Sequence, residues 1–329
     1  MTTRKLAALI PLAAVLLASW VVRLPYYSEG PGPARDVEPL IRVSGHERFQ
    51  SGGHLILTTV SFRTLNVYQA IGAWLDPVRS IVSQDVFIAP GETQQQADQR
   101  SLSEMDESKI DAAFVVLSRL TRYPKEHGAG VLVESVFPGC PASGRLFPGD
   151  RIDRVDGQRI GSIDDFNVLL HRLPVARRVR LHGEAGGEAF DVTVTRKRCA
   201  GSKRPLIGIA PVATFPFDIT ISSGDIGGPS AGLMWALGLY DLLTPGDLTG
   251  GRTVAGTGVI EPRGEVGPIG GVGDKIAAAA AAGADVFLVP KGNLQEAREA
   301  GGDLPLVPVG SFGQALAALR RGATAPGTG

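Results

Sequence analysis

The chain is short of histidine, short of cysteine and without excess charge, and each shortage closes a route. Its five histidines all lie at or before His182 in a chain of 329 residues, so nothing in the C-terminal part can serve as the base of a Ser-His-Asp arrangement. Its two cysteines, Cys140 and Cys199, have no CxxC neighbour, which leaves no cysteine-based zinc site and no redox pair. Lysine plus arginine number 33 and aspartate plus glutamate 33, with no basic tail or stripe, so electrostatics draws the chain toward neither nucleic acid nor strongly acidic substrates. No GxxxxGK[ST] phosphate loop occurs, and neither a metal nor a cofactor is expected.

What is plentiful is glycine and proline, 43 and 23 residues, and these fall between apolar runs, where they read as turns and close backbone approaches. The length exceeds what one core usually organises, pointing to a membrane segment plus two packed units. The cysteines either pair, if the bulk of the chain lies outside the cytoplasm, or stand as two buried thiols.

Arg4 and Lys5 precede an uncharged apolar run from Leu6 to Val22. As a helix rising about 1.5 Å per residue it covers most of a ~30 Å hydrocarbon core. Trp20, Tyr26 and Tyr27 follow at the far boundary, and the basic residues before the run favour a cytoplasmic N-terminus. The expectation is a single-pass anchor within residues 1–25 and an extracytoplasmic remainder. A cleaved signal peptide is the competing reading, but no small-x-small site precedes the bulky Val-Val-Arg-Leu-Pro-Tyr-Tyr stretch.

Beyond a Pro/Gly linker, Gly30 to Pro33, the sequence predicts a buried strand over 54–60 and a helix over 66–75. A polar span, 91–103, leads into a helix over 107–120 whose apolar positions Ile110, Phe114, Leu117 and Leu120 make one buried face. From 127 to 198 short strands alternate with turns, forming a compact β-rich module. Residues 198–204 mark its exit, and a second α/β region runs to 321, before a disordered tail at 322–329. Ser311 with Gln314 caps a late helix, and Gly283 ends an alanine-rich one.

The chemistry concentrates in two glycine-rich stretches. Ser230, in Gly227-Gly228-Pro229-Ser230-Ala231-Gly232, stands at the head of the apolar helical stretch 233–243. Small neighbours let a substrate backbone come close, and free amides at a helix start can hold the charge of a tetrahedral intermediate. Lys275, in Gly273-Asp274-Lys275, begins another helix, where the macrodipole disfavours a cation and lowers its pKa. A neutral lysine is the base such a serine needs, and Thr257 is placed to orient it. Taken singly, Ser230 reads equally as a helix cap and Lys275 as a solvated first-turn lysine behind Asp274.

Together these residues resemble a known family. Gly228-Pro229-Ser230-Ala231-Gly232, Thr257-Gly258, Gly264, Pro268-Ile269-Gly270-Gly271 and Lys275 are similar to the proteolytic domain of Lon proteases, from Leu206 to about Asn293. The resemblance implies Ser230 as nucleophile and Lys275 as general base, with Gly228, Pro229, Ala231 and Thr257 in support. The acidic neighbour usual before the nucleophile is displaced to Asp225, which remains a supporting candidate without an assigned role.

In the β-rich module, Gly128-Ala129-Gly130-Val131 resembles the carboxylate-binding loop of PDZ domains, and Pro141-Ala142, Gly149-Asp150 and Asp156-Gly157 resemble later signatures of that fold. The implied role is capture of a peptide as an added strand; the alternative is a spacer. The order of anchor, PDZ-like unit (127–198) and Lon-type domain (40–126 with 199–321) is similar to bacterial PDZ-containing Lon-like proteases, which lack the ATPase. The expected fold class is α+β, a Lon-type, ribosomal-protein-S5-domain-2-like unit with an inserted PDZ-like unit and an N-terminal membrane helix. The expected activity is ATP-independent peptide hydrolysis, with protein or peptide substrates, the membrane as a partner, no nucleic acid, and a hexameric ring implied by the family. A catalytically inactive membrane adaptor is the alternative.

Overall fold

The computed structural model describes residues 17–324, apart from positions 77, 200, 201 and 203. Most of the apolar run at 6–22 lies outside them. Among the described residues no helix is long and apolar enough to cross a membrane.

The chain first lays down strands β1 (Tyr26–Asp36) and β2 (His54–Thr64), helix α1 (Val67–Leu75), strand β3 (Ser80–Ser83) and the long helix α2 (Gln94–Leu120). It then enters the small unit: β4 (Val131–Val136), β5 (Arg151–Val155), helix α3 (Ile163–Arg172), β6 (Arg178–Ala185), β7 (Glu188–Thr195) and β8 (Ile209–Ala213). The last section holds α4 (Gly232–Leu243), β9 (Thr253–Gly256), α5 (Val272–Ala281), β10 (Val286–Pro290), α6 (Leu294–Glu299), β11 (Leu306–Val309) and α7 (Phe312–Thr324).

The large sheet has the order β11-β10-β9-β2-β1-β3. Its strands β2, β9, β10 and β11 run parallel, and β1 and β3 add an antiparallel edge. Strands buried on both faces must be apolar at every position, and β10 is: Val286 and Leu288 enter the core under α2, α4 and α7, while Phe287 and Val289 face α5 and α6. All twelve residues of α4 are buried, which explains an apolar helix with no polar face.

Two stretches differ from the sequence reading. The presumed linker at Gly30–Pro33 is the middle of β1. Its prolines lack amide donors, and the ladder to β2 shifts register between Pro31, which still pairs with Val60, and Ala34, a bulge that leaves Gly32 and Pro33 out of the pairing. Gly32 is required there, since a Cβ would meet Thr59 Oγ1 at 2.4 Å. The polar span 94–103 is the first third of α2. A capping box starts it, with Thr93 accepting from the Gln96 amide and Gln96 Oε1 from the Thr93 amide, and Arg100 pairs with Glu92 and Glu104 on its solvent side.

The small unit's sheet has the order β8-β4-β5-β6-β7 and packs on α3 through its own core of Val131, Ile152, Phe166, Val179 and Leu181. It therefore takes an edge strand from beyond residue 198, and its border shifts accordingly. Cys140 and Cys199 are joined in a disulfide, with Cα atoms 5.2 Å apart. The entering and leaving chains are clamped together: Tyr123 donates its hydroxyl to the Ala213 carbonyl at 2.7 Å, and the Gly128 amide bonds Thr214 O at 3.3 Å. Where α2 meets β4, Asp111 faces Glu134; burial, then the Glu134, Glu261 and Glu107 carboxyls, push Asp111 up to about 8. The final helix extends through residues 322–324, and the rest of the expected tail lies outside the described residues.

Candidate active site

Helices α4 and α5 cover opposite faces of the large sheet, and their N-termini meet beyond the end of β9. A 3-10 turn, Pro229–Ala231, leads into α4 and carries Ser230. Gly228 precedes it at φ 80°, a conformation open to glycine, and proline at the first helical position has the φ such a turn needs. The segment lies flush on α2: the Gly228 amide bonds Ser101 O at 2.7 Å, and Ser108 Oγ donates to Pro229 O at 2.9 Å. Ala231 is buried beneath it.

From the other face, Gly271 in the left-handed region starts α5 without a side-chain cap, so Asp274 does not cap the helix. Lys275 falls in the first turn, 4% exposed. Its Nζ lies 2.8 Å from Ser230 Oγ and 3.2 Å from Thr257 Oγ1. Thr257 directs its own hydroxyl proton to Ser230 O at 3.0 Å, which leaves its lone pairs to the amine. The Gly258 amide also bonds Ser230 O, at 2.8 Å. The serine backbone is thus held from both sides.

Burial lowers the Lys275 pKa to about 8, and the Glu29 carboxylate opposes that shift. Glu29 belongs to β1 and is itself raised by burial and by Asp274 and Glu296. A lysine near 8 keeps a usable neutral fraction at physiological pH, which an ordinary lysine does not. Among the described residues no cluster of His, Cys, Asp or Glu could hold a metal.

Ser230 and Lys275 open onto a long cleft that also borders Asp225, Glu29, Arg23 and Gln69. Asp225 is exposed on its wall. Sequence reasoning passed over Glu29, which directly precedes the apparent linker, and over Ser108. The seven-residue spacing of Ser101 and Ser108 on one helix face was the available signal.

The stretch expected to bind peptide, Gly128 to Val131, has no open strand edge beside it. Gly128, Ala129, Gly130 and Val131 lead into β4, which is flanked by β8 on one side and β5 on the other, so no strand edge is free beside them. Their glycines serve close packing instead: a Cβ on Gly128 would lie 2.8 Å from Phe215 O, and one on Gly130 2.5 Å from Ile152 O. The edge strand on this side of the sheet is β8, which lies alongside α3 and follows Gly208, a glycine at φ 90°.

The family model for the Lon protease (S16) C-terminal proteolytic domain matches residues 217–307, the stretch that holds both Ser230 and Lys275. Residues 217–307 are a Lon-type proteolytic domain. The chain is similar to Lon protease of Phenylobacterium zucineum, 33% identical over 132 residues, 39% of this chain and 16% of that one. It is also similar to Lon protease of Roseiflexus castenholzii, 47% identical over 72 residues, 22% of this chain and 9% of that one. The chain thus spans a small part of the length of these relatives. A quarter of the chain is similar to the PDZ domain of an SdrC-like protein from Listeria monocytogenes, at 29% identity, 87% of that chain and a TM-score of 0.24. Its counterpart from Listeria innocua gives 32%, 92% and 0.23.

Proposed function

We propose that the chain is a serine endopeptidase that works through Ser230 and Lys275 without ATP, held at the cell membrane by its N-terminal apolar run. The observation that carries this reading is a buried amine of lowered pKa 2.8 Å from a serine hydroxyl at a helix start. Neutral Lys275 takes the Ser230 proton as Oγ attacks the scissile carbonyl. First-turn amides without helical acceptors meet the oxyanion. Lys275 then passes the proton to the leaving amine, and water hydrolyses the acyl-enzyme with the same lysine as base. Thr257 keeps the amine aimed throughout.

The absent phosphate loop supports ATP independence. The Cys140–Cys199 disulfide supports an oxidising, extracytoplasmic compartment for the bulk of the chain. In the small unit, the outer edge of β8, beside the apolar residues Leu169 and Leu170 of α3, suits a peptide added as a strand and presented for cleavage. Ring assembly, as the family resemblance implies, belongs to the same proposal and is read from the mass of the detergent-solubilised chain.

The test is peptide cleavage and fluorophosphonate labelling by the full chain in nanodiscs, with Ser230→Ala and Lys275→Ala variants checked by circular dichroism. Loss of cleavage by about a thousandfold or more in both is expected. Folded variants that cut as fast as wild type would sink the dyad.

A further inference from the structure

Helix α1 carries an apolar stripe turned away from the core. Val67, Tyr68, Ile71, Trp74 and Leu75 recur at three- and four-residue steps, the spacing of a buried face. Yet Trp74 is 77% exposed, Leu75 69% and Ile71 53%, and only Ala73 of the helix is buried. The helix contains no charged residue, and Val78 extends the patch just beyond it. Single exposed apolar residues need no explanation, but a contiguous patch with tryptophan marks a surface that meets something.

What it meets is indicated by where the chain comes from. Residues 17–21 are helical and continue the apolar run at 6–22. Their exit is tied to α1: Asn66, the cap of α1, donates from Nδ2 to Trp20 O at 3.0 Å, and Arg23 Nη1 donates to Gln69 Oε1 at 3.1 Å. The Leu24 amide bonds Leu65 O at 2.7 Å. A bilayer that receives the run must therefore surface beside the first turn of α1.

We propose that α1 is a second membrane contact, lying in the interfacial plane with Ile71, Trp74 and Leu75 seated at the headgroup–acyl boundary. The inference rests on the anchoring reading above. Uncharged apolar faces with tryptophan and tyrosine partition to that depth. Two contacts fix orientation where one anchor would let the domain pivot. The cleft that holds Ser230 and Lys275 reaches Arg23 and Gln69 at this end, so docking α1 points its mouth along the lipid surface. The favoured substrates are accordingly polypeptide segments tethered to, or emerging from, the bilayer.

The full chain in phosphatidylcholine–phosphatidylglycerol bilayers with acyl-brominated lipid tests this through its three tryptophans. Trp235 is fully buried and supplies a constant background. Trp20→Phe isolates Trp74, Trp74→Phe isolates Trp20, and the double variant gives the signal to subtract. Quenching of Trp74 by about twofold or more, stronger for shallow than for deep bromines, is the expected result. Quenched Trp20 with unquenched Trp74 overturns the proposal while sparing the anchor. No quenching of either removes the anchor and, with it, the proposal. An Ile71→Glu, Leu75→Glu variant should cleave a soluble peptide within twofold of wild type but a lipid-tethered copy several-fold more slowly; equal rates on the tethered copy would count against the substrate class.

Discussion

Raising the pH from 6 to 9 should increase kcat/KM by roughly ninetyfold, because the rate follows the neutral fraction of Lys275. With a pKa of about 8, that fraction is about 1% at pH 6, about 9% at pH 7 and about 90% at pH 9. An ordinary lysine near 10.5 would be roughly 300-fold less available at pH 7. The same burial that makes the base destabilises the fold. Because the folded pKa lies below the unfolded one, the full cost, about 3 kcal/mol, is borne below pH 8 and disappears as pH rises toward 10.5. Lys275→Met should therefore abolish cleavage while stabilising the protein at pH 7 by up to about 3 kcal/mol, an advantage gone above pH 11. The assays are a pH profile with a fluorogenic peptide at fixed ionic strength and urea unfolding of both forms. A profile flat between pH 6 and 9, or a Lys275→Met variant less stable than wild type at pH 7, would refute the reasoning.

Three further outcomes follow from the same structure. Glu29→Gln removes the negative charge that holds the Lys275 pKa up, so the acid limb of the pH profile should move to lower pH; an unmoved limb would remove Glu29 from the site's electrostatics. Breaking the disulfide by Cys140→Ala with Cys199→Ala frees a loop closed across 59 residues and should cost about 4 kcal/mol in urea unfolding, matched in wild type by adding reductant. Asp111 titrates at about 8 when folded against 3.8 in the unfolded chain, so its stabilising contribution is complete below pH 4 and lost as pH rises through 8. Asp111→Asn should match wild type in Tm at pH 4 and exceed it increasingly up to pH 8, and identical Tm curves would contradict the burial argument.

The pairing of Ser230 with Lys275 is legible through the resemblance to Lon proteolytic domains, since taken singly Ser230 reads equally as a helix cap and Lys275 as a solvated first-turn lysine. Small residues flank Ser230 at a tight helix entry, and Gly271, in the left-handed region, starts the helix that carries Lys275 in its first turn. Elements whose stability comes from tertiary pairing were harder to see. Strand β1 hides behind Pro31, Gly32 and Pro33, since a bulge that exempts Gly32 and Pro33 from the ladder leaves no trace in an alternating pattern. The start of α2 hides because its exposed half is polar, and only the Thr93–Gln96 capping box announces it. The glycines at 128 and 130 resemble a ligand loop because close packing and ligand cradling call for the same residue. Gly208, ahead of β8, lies in the stretch from Leu206 onward that reads as the start of the Lon-type domain.

Strand β8 completes the small sheet and is also the path by which the chain re-enters the Lon-type domain. The insert and its host are therefore threaded through each other, and no cut between 198 and 213 separates them cleanly. Excising 127–198 would strand Ile207 and Ile209 without the core they fill. A transplant of the insert into another protein must carry the chain through Ala213. With Tyr123 and Ala213 bonded at the two crossing points, the insert has a fixed seat rather than a swivel, so anything held along β8 is held at a set bearing to the serine seventeen residues downstream.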